Sequence, residues 1–372
     1  MNNKTAITAS DSAPKLRDAN FELLRIISML LVILLHFNVY GKLLTAEFGT
    51  PLYVVAWLAE AIGYKAVDIF VIISGYFLVK TKLSAGKVFR FYIQVFTYSA
   101  GLYLLSCLLN FREFTLLSFF KAATPISSYE YWFVTRYFVM LLLSPILNLL
   151  ISKLTKKQHL LCIGLLLFIY CIWQSIVVWN IDVFSDGNNL EWFVVLYFIG
   201  SYFRLYDTKI SPKKAIFLSL AADVLLFFSR YLTGVVTLNI FGRVIGSGFL
   251  FSYRSPLVVF SAITIFLCFK NLVIKSAAAT KIIPKISALA FGVYLSHNNL
   301  HTLNHLWNFV FPARFSNNVF LLILYMIVST LAIYAVCGMV EYIRAALYNL
   351  LGFKKIEQKL NSFFSRILSK VK

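Results

Sequence analysis

Residues 21–41 read FELLRIISMLLVILLHFNVYG. As a helix this run crosses a bilayer, because about 20 residues at 1.5 Å each span roughly 30 Å of hydrocarbon. Among its polar residues, an arginine and a histidine lie inside the run, Arg25 and His36. Their spacing is three helical turns plus about 20°, so both side chains share one face, roughly 16 Å apart along the axis. A guanidinium in hydrocarbon costs on the order of 3 kcal/mol or more, so Arg25 should face protein or a wet cavity. An imidazole takes or gives a proton near neutral pH. Two such groups on one stripe point to a reaction or a pathway inside the membrane.

The rest of the chain repeats the pattern. Of 372 residues 60% are hydrophobic, and the mean hydropathy is +0.79; a soluble domain is about 45–50% apolar. Ten apolar segments are legible, near 21–41, 58–79, 88–110, 132–152, 160–181, 190–206, 214–233, 254–270, 286–311 and 319–346. The expected fold class is therefore all-α, a polytopic integral membrane protein of about ten transmembrane helices. An even number puts both termini on one side.

The net charge of +20 raises the question of nucleic acid. Its distribution answers otherwise. Of 35 Lys and Arg, 25 fall in the N-terminal tail and near 80–90, 153–157, 204–214, 270–285 and 344–372. The alternate loops hold Lys42, Arg112, Lys121, Arg243 and Arg314. Basic residues collect in cytoplasmic loops, so both termini are expected in the cytoplasm, and no nucleic-acid partner is needed. Residues 1–20 read as a disordered cytoplasmic tail and 21–346 as the membrane domain. Residues 347–372 read as a basic amphipathic helix on the anionic inner leaflet. The internal Arg25 and the lack of a small-residue cleavage site favour a retained first span over a signal peptide. The five cysteines sit in or beside apolar segments as small core residues, with neither disulfide staples nor a thiolate metal site expected. No internal repeat is visible, which weighs against an inverted-repeat transporter.

Further polar groups mark the apolar segments. Glu22 precedes Arg25 by three residues and can pair with it. Asp68 lies in AVDIFVIISGYFLV, where a carboxylate must be protonated or paired. His36 and Lys65 are its candidate partners: the first would give an oriented histidine, the second a structural ion pair. Ser74-Gly75 fits either close helix packing or a backbone opening for a ligand. His297, His301 and His305 recur at steps of four, a stripe on one helix face that serves interhelical hydrogen bonds or substrate hydroxyls; no metal is expected. Arg136, Arg230 and Arg254 fall near outer ends of segments, as snorkelling residues or as contacts for an anionic ligand. Trp132, Trp179, Trp192 and Trp307 fit an interfacial belt or sugar stacking.

Taken together, Arg25 and His36 with ten residues between them, VDIFVIISGYFL at 67–78, Tyr131-Trp132-Phe133 and the run Phe291–His297 resemble the membrane-bound acyltransferase-3 family in order and spacing. One departure is Asn298-Asn299 after His297, where the family often has proline. The resemblance implies an integral-membrane enzyme of the cytoplasmic membrane. It would take an acyl group, commonly acetyl, from cytoplasmic acyl-CoA and place it on a hydroxyl of a cell-envelope glycan, with the bilayer and that glycan as partners. It also implies that Arg25 and His36 are essential.

On this reading His36 is the base, or transiently accepts the acyl group, and Asp68 orients it. Arg25, Glu22 and Ser74 would serve the donor. Arg136, Trp132, His297, His301 and Arg254 would meet the acceptor. The competing readings are a transporter for a lipid-linked glycan and a non-enzymatic export subunit.

Overall fold

A computed structural model describes residues 18–176 and 187–370, and among them every regular element is helical. The first half holds α1 (Ala19–Tyr40), α2 (Pro51–Gly63), α3 (Ala66–Leu78), α4 (Ala85–Leu108), α5 (Leu116–Ala123), α6 (Trp132–Ser152), α7 (Lys156–Leu167) and α8 (Trp173–Ile176). The second holds α9 (Leu190–Leu205), α10 (Pro212–Phe241), α11 (Pro256–Lys270), α12 (Ala277–Ser287), α13 (Ala290–His297), α14 (Leu303–Val310), α15 (Val319–Leu350) and α16 (Phe353–Lys370). The N-terminal tail before Asp18, expected to be disordered, and Trp179 lie outside the described residues.

Among the described residues seven helical stretches are long and apolar enough to cross a membrane: α1, α2 with α3, α4, α6, α10, α12 with α13, and α15. Their outward faces carry bare hydrocarbon, as Phe217 of α10 and Phe320 of α15 show at 68% and 77% exposure. An apolar exterior of that kind belongs against lipid. The segments expected at 190–206 and 254–270 form the shorter α9 and α11, of 16 and 15 residues. Nine of the 16 residues of α9 are buried, so its hydrophobicity serves the protein interior.

Alpha helix α9 lies against α3 through two glycines. A Cβ added to Gly75 would stand 2.5 Å from the carbonyl oxygen of Tyr197, and one added to Gly200 would stand 2.1 Å from that of Ile72. The two backbones touch, which is the close-packing use of Ser74-Gly75. Behind this seam Lys65, at the α2–α3 junction, forms an ion pair with Asp223 of α10. Lys65 Nζ also donates to Ser219 and Ser261, both at 3.1 Å.

The central element is α1, which contacts α2, α3, α11, α12, α13 and α15. One core gathers Phe21 and Leu24 with residues of α3, α9 and α11; another gathers Ile33 and Phe37 with α13 and α15. A helix so enclosed has its remaining face fixed, and that face carries Arg25 and His36. At the far end of the chain α16 packs on α4, where Arg90 Nε and Nη2 donate to Glu357 Oε2 and Oε1 at 3.0 and 2.5 Å.

The expected segment 286–311 is not one helix. Helix α13 ends at His297 and α14 begins at Leu303. Asn299 is the cause. Its amide donates to Tyr131 Oη at 2.6 Å while its Oδ1 accepts from the backbone N–H of His301 at 2.9 Å. An asparagine that bonds its own backbone two residues on offers the chain an alternative to the helix ladder. The stripe of His297, His301 and His305 is therefore lost, and the three face different surroundings.

A candidate active site along the first helix

The open face of α1 lines a cavity of about 950 Å³. Its lining starts at Asp18 and reaches Tyr40. That interval corresponds to roughly 33 Å of helix, close to the thickness of a bilayer core. Arg25 and His36 both line it, as their shared stripe predicts.

At the Asp18 end Arg25 pairs with Glu22, and Glu22 Oε2 also accepts from Ser287 Oγ at 2.6 Å. The Arg25 guanidinium lies 5.3 Å from the ring centre of Phe77. It is the single Lys or Arg among the described residues of the lining. Ser74 also lines the cavity and stands 3.2 Å from Tyr137 Oη.

Three turns further, His36 Nδ1 stands 2.9 Å from His297 Nε2. The second nitrogen of His297, Nδ1, stands 2.6 Å from the carbonyl oxygen of Val293. A carbonyl only accepts, so His297 Nδ1 carries a proton. With His297 neutral, its Nε2 is then an acceptor, and the proton between the rings belongs to His36 Nδ1. His36 Nε2 is left with its lone pair, on a half-buried ring that lines the cavity. A backbone carbonyl and a second imidazole thus set the tautomer of the first, which is the arrangement a proton acceptor requires.

Asp68 is not the group that orients His36. It is fully buried, and its Oδ1 accepts from Trp192 Nε1 at 3.1 Å. Nor does it pair with Lys65, whose partner is Asp223. The reason is helix phase: Asp68 projects toward α9, away from the cavity face of α1. Trp132 lines the cavity and stacks on Tyr253 at 5.7 Å. Arg136 bonds the carbonyl of Asn188 at 3.3 Å and lies over Tyr129, while Arg230 lies 3.2 Å from the ring centre of Trp57. Neither of them, nor Arg254, is among the described lining residues. Trp192 and Trp307 are buried in the core.

His301 sits in the loop beyond α13, where Arg112 Nη1 donates to its Nδ1 at 2.6 Å. Its Nε2 is 3.6 Å from Glu130, too long for a hydrogen bond. Burial, and then the adjacent Arg112, lower its pKa to about 4. Burial raises the Glu130 carboxyl above its ordinary range. His305 stacks on Phe111 at 3.7 Å.

Two features escape the sequence reading. One is a set of tyrosines, Tyr40, Tyr64, Tyr129, Tyr131, Tyr253 and Tyr294, that lines the cavity toward the C-terminal end of α1. The other is Glu60, which lines the same region and accepts from Asn38 Nδ2 at 3.1 Å. A carboxylate inside an apolar segment is itself a signal of a functional position, and Glu60 lies within the expected second segment.

The acyltransferase-3 family model, described as an acyltransferase domain, matches residues 18–338. No curated protein and no solved structure matches the chain. The matched region contains all of α1 to α13, including both histidines and the arginine of the cavity. The chain, a many-helix membrane protein, belongs to the acyltransferase-3 family.

Proposed function

We propose that this protein transfers an acyl group, acetyl being the simplest, from acyl-CoA at the Asp18 end of the cavity to a glycan hydroxyl at the Tyr40 end. The observation that carries the reading is one cavity lined along the length of α1, with Arg25 and His36 on the same wall. The bias of Lys and Arg supports cytoplasmic termini, and on this reading the donor enters from inside and the acceptor is an envelope glycan.

The chemistry follows from the residues. His36 Nε2 takes the hydroxyl proton as the oxygen attacks the thioester carbon. The C–S bond then breaks, and the proton passes from His36 to the departing thiolate. His297 holds the tautomer throughout. Arg25 contacts an anionic part of the donor, and the roughly 16 Å between it and His36 suits an extended pantetheine arm.

A cavity of this length also fits a transporter for a lipid-linked glycan. Release of free CoA by purified protein separates the two, because only the enzyme makes it depend on acceptor and on His36. His36→Ala should lower transfer by about 10²–10⁴-fold with normal membrane insertion. Full transfer by that variant refutes the enzymatic reading.

A further inference from the structure

The outer portion of the cavity has a charge character of its own. Toward the C-terminal end of α1 the charged side chains among its described lining residues are Glu60 and Glu130. The cation whose field reaches Glu60 is Arg230, and its guanidinium lies 3.2 Å from the ring centre of Trp57. On the Glu130 side Arg112 is engaged by His301 at 2.6 Å. Neither arginine is on the described lining. The stretch 177–186, outside the described residues, contains no Lys or Arg.

An anionic sugar entering this space loses its water and meets carboxylates and phenols. Desolvating a charge without a counter-charge is costly. Guanidinium is the usual partner of phosphate and carboxylate, and here the guanidinium on the lining is at the opposite end, at Arg25. The tyrosines and Trp132 offer flat apolar faces with polar rims, which suit the C–H faces and hydroxyl edges of a pyranose.

Glu60 is placed to choose the hydroxyl. Its partner Asn38 follows His36 by two residues on α1, about 3 Å along the axis. Glu60 thus stands near the depth of the proposed base. The bond to Asn38 uses one carboxylate oxygen, and the group is 95% buried yet borders the cavity, 5% of its surface remaining open. A carboxylate accepts hydrogen bonds from hydroxyls and ammonium groups and donates none.

We infer that the acceptor moiety bound beside His36 is a sugar carrying no negative charge, a neutral or amino sugar, and that Glu60 positions it through a neighbouring hydroxyl or ammonium group. This rests on the acyl-transfer reading for its purpose, but its test does not require turnover.

The test is equilibrium binding to the purified full-length protein without donor, followed by intrinsic tryptophan fluorescence. Oligosaccharides of equal length are compared: neutral, amino, uronic and phosphorylated. Neutral and amino forms should bind at least about tenfold more tightly than the anionic forms, and Glu60→Gln, which keeps shape and the Asn38 contact, should weaken them about tenfold. The same variant should bind the uronic form better than wild type does. Equal or tighter binding of the anionic forms by wild type overturns the inference, as does unchanged binding in Glu60→Gln. No transfer by the wild-type protein, or full transfer by His36→Ala, with the binding order intact, would count against acyl transfer alone.

Discussion

His36 Nδ1 stands 2.9 Å from Nε2 of His297, a residue 261 positions later in the chain. The bond between His297 and the Val293 carbonyl sets its direction. His297→Gln supplies an amide oxygen where His297 Nε2 accepts, so it should retain most of the turnover. His297→Leu removes the acceptor and frees the His36 tautomer, so kcat should fall by about 10²-fold or more with donor KM little changed. Steady-state kinetics of the two variants decides this; equal losses would argue for packing alone.

Asp68 makes a different prediction. Its Oδ1 accepts from Trp192 Nε1 at 3.1 Å and its Oδ2 has no hydrogen-bond partner among the described residues. Asp68→Asn keeps the acceptor, so transfer should stay within about threefold of wild type, while Trp192→Phe strands the carboxyl and should cost about 1–3 kcal/mol of stability. Thermal unfolding in detergent and acyl transfer measure the two effects separately. A folded but inactive Asp68→Asn would restore Asp68 to the chemistry.

The Lys65–Asp223 pair is buried between α3, α10 and α11. Removing one partner leaves a buried charge, so Lys65→Met or Asp223→Leu alone should destabilise by about 3–5 kcal/mol. The double variant should recover most of that loss, because an apolar pair of similar size carries no desolvation penalty. Additive losses in a double-mutant cycle would contradict the pairing.

The pH dependence of stability should carry the mark of His301. Its pKa is lowered to about 4 from 6.5, so between those values the unfolded chain binds more protons at this site. Its contribution to stability is present above about 6.5 and is lost as pH falls toward 4. Glu130, whose carboxyl is raised, contributes in the opposite sense. The test is therefore the difference between wild type and His301→Gln, which keeps an acceptor for Arg112 but does not titrate. The variant should lose less stability over that interval; identical profiles would exclude His301 as the source.

What was legible in the sequence was local. The long apolar runs gave the helices, and the Glu22–Arg25 pair lies one turn apart. The stripe of Arg25 and His36 needed only the helical period. The partner of His36 was hidden because it comes from a helix 261 residues away. The histidine ladder was misread because periodicity carries no information about Asn299, whose side chain replaces helix bonds with bonds to Tyr131 and His301. Asp68 and Lys65 were matched to the wrong partners, since depth in a membrane does not reveal the direction a side chain faces. Of the ten apolar segments, seven correspond to long spans among the described residues; 190–206 and 254–270 form the shorter α9 and α11, whose hydrophobicity is spent on neighbours, and 160–181 runs past the described residues.

The seam between α3 and α9 has a mechanical corollary. Where two main chains meet at Gly75 and Gly200 without side chains between them, neither can slide or rotate without collision. That seam is expected to hold α3 and α9 at a fixed separation. Widening on ligand entry is then expected on the opposite bank, where the chain breaks at Asn299 between α13 and α14. Spin labels on α3 and α9 should keep a constant separation when ligand is added, whereas a label on α14 should shift; movement across the glycine seam would contradict this division of labour.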